Sequence, residues 1–130
     1  MTVTSLTPNR PKNSMAVAEI SYNDLKDLME KCKELVLVDV RSKEEVDRGR
    51  IPGSIHIPVD QVENDMTLDA AAFQQKFGVP KPPLNSPSLI FHCQMGRRGA
   101  VATQNARSLG FEKACNFVGG YKEWSEKEGK

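Results

Sequence analysis

The chain has 130 residues, 27% of them charged and 38% hydrophobic, with a formal net charge of +1. That length suits one domain with a real core, and so small a net charge gives no overall field to select nucleic acid or an anionic membrane. No apolar run is long enough to span a bilayer, and no apolar signal-peptide core stands near the start.

Residues 1–15 read as a disordered tail: Ser, Thr, Pro and Asn prevail, Arg10 and Lys12 are basic, and no acid precedes Glu19. From residue 16 to residue 130, strand-like and helix-like segments alternate, as in a single α/β domain. Val17-Ala18-Glu19-Ile20 is a short strand. Ser21, followed three residues later by Asp24, starts a helix with Leu25, Leu28 and Met29 on one face. Leu35-Val36-Leu37-Val38 is a continuous apolar run, the pattern of a strand covered on both sides, and Asp39 stands at its end. Ser42 with Glu45 forms a capping-box pattern for a short helix closed by Gly49, which places Arg41 and Glu45 at helical spacing for an ion pair.

Ile51-Pro52-Gly53 is a turn, Ser54 to Ile57 a brief strand, and Asp69 the cap of a helix over Ala70 to Phe77. Gly78 to Pro87 is a proline-rich surface loop. A strand over Leu89 to Cys93, a helix over Arg97 to Leu109 closed by Gly110, a strand over Ala114 to Val118 and a final helix with Tyr121 and Trp124 complete the chain. Such alternation predicts a parallel sheet with helices on both faces. Ligands bind such sheets beyond the carboxyl ends of the strands, where Asp39 and Cys93 both fall.

Cys93 carries the chemistry. It ends an apolar strand, and Gln94-Met95-Gly96-Arg97-Arg98-Gly99 follows before the next helix. Turned-in amides of residues 94–98, a helix N-terminus and the guanidinium groups of Arg97 and Arg98 would all favour thiolate over thiol. A Gly-Arg-Arg-Gly run is costly inside a core, so Cys93 is read as functional, whereas Cys32 and Cys115 are read as packing. The three cysteines form no CxxC, and His56 and His92 are too few for a metal cluster, so neither metal nor other cofactor is expected. As a strand residue His92 points away from Cys93 and is assigned to packing. Trp124 suits core and pocket wall equally.

Two separated motifs then resemble the rhodanese sulfurtransferase family: Asp39-Val40-Arg41 through Gly49-Arg50-Ile51-Pro52-Gly53 to Pro58, and Cys93-Gln94-Met95-Gly96-Arg97-Arg98, which fits CxxGxR. The closing Gly119-Gly120-Tyr121-Lys122-Glu123-Trp124 is similar to the family's ending. The resemblance covers residues 16–130 and is nearest to the small thiosulfate:glutathione sulfurtransferases. Arg50 departs from the family's usual histidine, in a turn away from the sulfur loop.

The resemblance implies a rhodanese-like fold with a five-stranded parallel sheet. It further implies an enzyme that moves sulfane sulfur from thiosulfate to a thiol such as glutathione, or to cyanide, through a Cys93 persulfide. Gln94, Met95, Gly96, Arg97 and Arg98 would bind substrate, with Asp39 in support. Small-molecule donor and acceptor are the expected partners, with a protein sulfur acceptor as a further possibility and no nucleic acid or membrane. The expected location is the cytoplasm, with the mitochondrion left open. The rivals are a sulfur carrier or regulatory binding module, and a cysteine-dependent phosphatase or arsenate reductase. Those last enzymes place five residues between cysteine and arginine; here four separate Cys93 from Arg98, and Gly99 occupies the longer spacing.

Overall fold

The computed structural model describes residues 18–128. The expected tail lies outside them, as does Val17 of the expected first strand. Five strands, β1 (Glu19–Ile20), β2 (Val36–Asp39), β3 (Ile55–His56), β4 (Leu89–His92) and β5 (Cys115–Phe117), form one parallel sheet in the order β1-β5-β4-β2-β3. β4 lies at its centre. It pairs with β2 from Val36–Leu89 to Asp39–His92, and with β5 through Ile90–Cys115 and Phe91–Asn116.

The helices among the described residues are α1 (Tyr22–Lys31), α2 (Lys43–Arg48), α3 (Val62–Met66), α4 (Ala70–Phe77), α5 (Arg97–Ser108) and α6 (Gly120–Glu128), with a 3-10 turn at Val59–Gln61. Three of their starts follow from local chemistry. Ser21 with Asp24 and Ser42 with Glu45 both close full capping boxes, and Asp69 accepts from the Ala72 amide at 2.8 Å.

Alternation along the strands divides the apolar side chains between two cores. Val36, Val38, Leu89 and Phe91 pack with α3, α4 and α5 through Val62, Met66, Phe73, Ala102 and Ala106. Leu37, Ile90 and Phe117 face the other way, against Leu25 of α1 and Trp124 of α6. Trp124 is therefore a core residue. The sheet is covered on both faces, as the unbroken apolar runs require.

Strand ends differ from the sequence reading by a residue or two. β2 starts at Val36 rather than Leu35, because the Val36 amide is the first to pair across the sheet, donating to the Ser88 carbonyl at 2.9 Å. It runs on to Asp39, whose register partner is His92. A polar residue ends the apolar run but not the ladder.

Candidate functional site

β4 delivers Cys93 to the carboxyl edge of the sheet, on the face packed by α5. The thiol is buried, with the residue 2% exposed, and the Gly96 amide donates to Sγ at 3.0 Å. Gly96 can do this because its φ of 101° lies where other residues are strained, and a Cβ there would stand 2.6 Å from the Val118 carbonyl oxygen. Its own carbonyl accepts from Asn116 Nδ2 at 3.0 Å and from the Ala100 amide at 2.9 Å. The sulfur thus lies at the start of a 12-residue helix, where the dipole favours an anion. Met95 stands at the rim, 69% exposed, and Arg97 is exposed at the first turn of α5.

The two loop arginines are not equivalent. Arg98 makes a two-pronged pair with Glu45 of α2, Nη1 to Oε1 at 2.7 Å and Nη2 to Oε2 at 3.0 Å. The Arg41–Glu45 pair expected from helical spacing is therefore replaced by a pair across 53 residues of sequence. Arg98 braces the loop against α2, and its charge still lies within the field of Cys93.

The Arg98 hydrogen bonds hold the Glu45 carboxyl down to about 2, against an ordinary value of 4.5, outweighing partial burial and aided by Ser42. The folded chain then binds this proton less tightly than the unfolded chain, so the pair stabilises the fold fully above pH 4.5 and progressively less toward pH 2. Replacing Glu45 with Gln keeps the capping box but removes the charge. Melting temperatures measured across that interval should therefore fall less steeply for Glu45→Gln than for the unaltered chain.

Arg41, only 2% exposed, is the hub behind the loop. Nε reaches Asp39 Oδ1 at 3.0 Å and Oδ2 at 3.1 Å, and Nη2 reaches Oδ2 at 2.8 Å and the Gly49 carbonyl at 2.7 Å. Nη1 donates to Gln94 Oε1 at 3.3 Å, and the guanidinium lies 4.3 Å from the centre of the Tyr121 ring. Asp39 takes one amide, that of Arg41 at 3.0 Å, and otherwise binds the guanidinium. Burial pushes the Asp39 carboxyl up, but the hydrogen bonds and charge of Arg41 outweigh it, so the net shift is downward.

α6 clamps the loop from the same side. The Tyr121 amide donates to the Cys93 carbonyl at 2.8 Å and the Lys122 amide to the Gln94 carbonyl at 3.1 Å, so free amides of a helix start hold the loop. Gly120 leaves room for this: its φ is 64°, and a Cβ would lie 2.5 Å from the Gln94 oxygen and 2.6 Å from the Cys93 oxygen. Gly120→Ala should cost about 1–3 kcal/mol of stability. It should also lower activity more than an equally destabilising change in α4; thermal melts beside turnover rates would show both effects.

His92 is fully buried and lies on the face opposite Cys93, edge-on to Phe117 with ring centres 6.5 Å apart. Its Nδ1 is 3.2 Å from the Cys93 carbonyl, which can only accept, so Nδ1 carries the hydrogen. Burial pushes its pKa down despite Asp39 nearby, which favours the neutral ring.

Sequence reasoning missed three contributors: Asn116, Tyr121 and Glu45 as a brace for the loop. Asn116 alone gave a signal, an amide in the middle of an apolar strand, and its side chain is fully buried on Gly96. Among the described residues no group of three His, Cys, Asp or Glu side chains is placed to hold a metal.

The family model described as "Rhodanese-like domain" matches residues 21–127. Human thiosulfate:glutathione sulfurtransferase is 51% identical over 92 residues, which are 71% of this chain and 80% of that protein. The Saccharomyces cerevisiae thiosulfate:glutathione sulfurtransferase is 33% identical over 91% of this chain and 85% of its own length. Among solved structures, a human single-domain sulfurtransferase superposes with a TM-score of 0.80 at 44% identity, covering 86% of this chain and 98% of that one.

Proposed function

The chain belongs to the rhodanese-like domain family, and on that premise we propose that it transfers sulfane sulfur from thiosulfate to a thiol acceptor, glutathione foremost, through a persulfide on Cys93. The observation that carries this reading is the Cys93 sulfur under the Gly96 amide at the start of α5. The Cys93 thiolate attacks the outer sulfur of thiosulfate, and the sulfur–sulfur bond breaks as sulfite leaves with the electron pair. The acceptor thiolate then attacks the outer sulfur of the persulfide, giving the acceptor persulfide and returning the Cys93 thiolate. Splitting the transfer in this way is covalent catalysis, and it needs no outside oxidant or reductant.

Gly96 supplies an amide to the bound sulfur, Arg97 the exposed cation that meets the donor's sulfonate, and Met95 the rim. Gln94, Arg98 and Asp39 act in support by holding the loop. Free cysteines suit a reducing compartment, and we place the reaction in the cytoplasm. Two relatives carry "mitochondrial" in their names, and no described helix is long and apolar enough to cross a membrane.

A protein acceptor is the second reading. It is favoured by the apolar rim, where Met95 and Val118 are 69% and 43% exposed, and by a 30% identical relative named a putative sulfur carrier protein. Steady-state sulfite release from thiosulfate with and without glutathione separates the two. Sustained release that depends on glutathione supports transfer to the small thiol. One turnover followed by arrest supports a protein acceptor, and no release at all overturns thiosulfate as donor.

A further inference from the structure

We infer that the cleft between α2 and α6, beside the sulfur loop, is a subsite for a carboxylate of the thiol acceptor, anchored by Arg48. This inference rests on the transfer proposed above. The cleft has a volume of about 250 Å³ and is lined by Arg41, Glu45, Arg48, Gln94 and Tyr121. It adjoins the nucleophile: Gln94 is the next residue, and the Tyr121 amide holds the Cys93 carbonyl. So small a cavity suits one arm of a peptide-like thiol rather than a whole ligand.

The charges around it do not cancel. Arg41 is matched by Asp39, and both oxygens of Glu45 are taken by Arg98. Arg48 is exposed and has no ion-pair partner among the described residues; the acids nearest it on α2 are Glu44, which is unpaired with it, and Asp47, which binds Lys43. One positive charge is left over.

The neutral groups point the same way. Arg41 can only donate, so Gln94 must turn Oε1 toward it, which leaves the Gln94 Nε2 hydrogens without a partner among the described residues. The Tyr121 hydroxyl has no hydrogen-bond partner among them either, although its ring is fixed by Arg41. A guanidinium, an amide and a phenol therefore converge on one small cleft whose own carboxylate is already occupied. Donors without an acceptor make an anion site, and a planar guanidinium fork is shaped for a carboxylate.

The donor's sulfonate is the other anion of this reaction. Its oxygens lie only two bonds from the sulfur under attack, so they must stay at the Cys93 loop itself. The cleft lies past the Gln94 side chain and suits a charge several bonds from the reacting thiol. The terminal carboxylates of glutathione meet that condition.

The experiment compares discharge of the Cys93 persulfide by glutathione and by glutathione diethyl ester, which has the same thiol and peptide but masked carboxylates. Arg48 is exposed, so Arg48→Glu should fold normally. It should lower kcat/KM for glutathione relative to the diester by about tenfold or more, and Arg48→Lys by less, since a point charge remains. An equal effect on both thiols, or no effect on either, overturns the subsite while leaving the transfer reaction intact. If the unaltered protein takes no sulfur from thiosulfate, the reaction falls and the subsite falls with it.

Discussion

Cys93→Ser should abolish sulfur transfer, lowering turnover by more than about 10³-fold, because no other group in the loop can carry the sulfur between two substrates. The change should leave the fold almost untouched. Serine is close in size, and its hydroxyl can accept from the Gly96 amide that now meets Sγ at 3.0 Å. Loss of activity in a protein that melts normally would separate a chemical role from a packing one. The burial of Cys93 makes that separation necessary, since a cysteine 2% exposed is also what inert core packing looks like. Matched variants at Cys32 and Cys115 serve as controls. Both cysteines lie away from the loop, half-buried, and burial pushes the Cys115 thiol up rather than down. Substituting either with serine should leave turnover within about twofold.

The largest expected loss of stability follows Asp39→Ala. Its carboxylate is fully buried, and it is the acid that neutralises Arg41. Removing it strands a guanidinium in the interior, a change that costs about 3–5 kcal/mol. In a domain of this length that corresponds to a fall of roughly 10–20 °C in melting temperature. Activity should fall as well, because Arg41 also holds the Gln94 side chain and stacks on Tyr121. The double variant Asp39→Ala/Arg41→Met removes the stranded charge and fills part of its volume. It should recover a good part of the stability lost by the single variant, since replacing a whole buried pair is far milder than breaking it. A double variant as unstable as the sum of the two singles would show that the pair is not what matters at Asp39.

The loop that follows β4 and the helix starts were legible in the sequence because each is encoded locally. Ser21 with Asp24, Ser42 with Glu45 and Asp69 act within one helical turn. The strands were legible because alternate residues face opposite cores. What braces the loop was not legible. Arg98 meets Glu45, and Gly120 meets the Cys93 and Gln94 carbonyls, only because β4 sits between β2 and β5 in the sheet. Strand order is a long-range property that spacing does not reveal. Arg41 misled for a related reason: helical spacing offered Glu45, yet Arg41 lies before the Ser42 cap, where its side chain folds back on Asp39. Arg50, the departure from the family's usual histidine, keeps to its own turn, where its guanidinium binds the Ser54 carbonyl and hydroxyl.

The most direct test of the Cys93 persulfide is the intact mass of the protein after brief exposure to thiosulfate, measured beside the Cys93→Ser variant. The account predicts a gain of one sulfur atom, matched by one sulfite released per chain, absent from the variant and reversed by glutathione. An unchanged mass, or an equal gain in the variant, would contradict it.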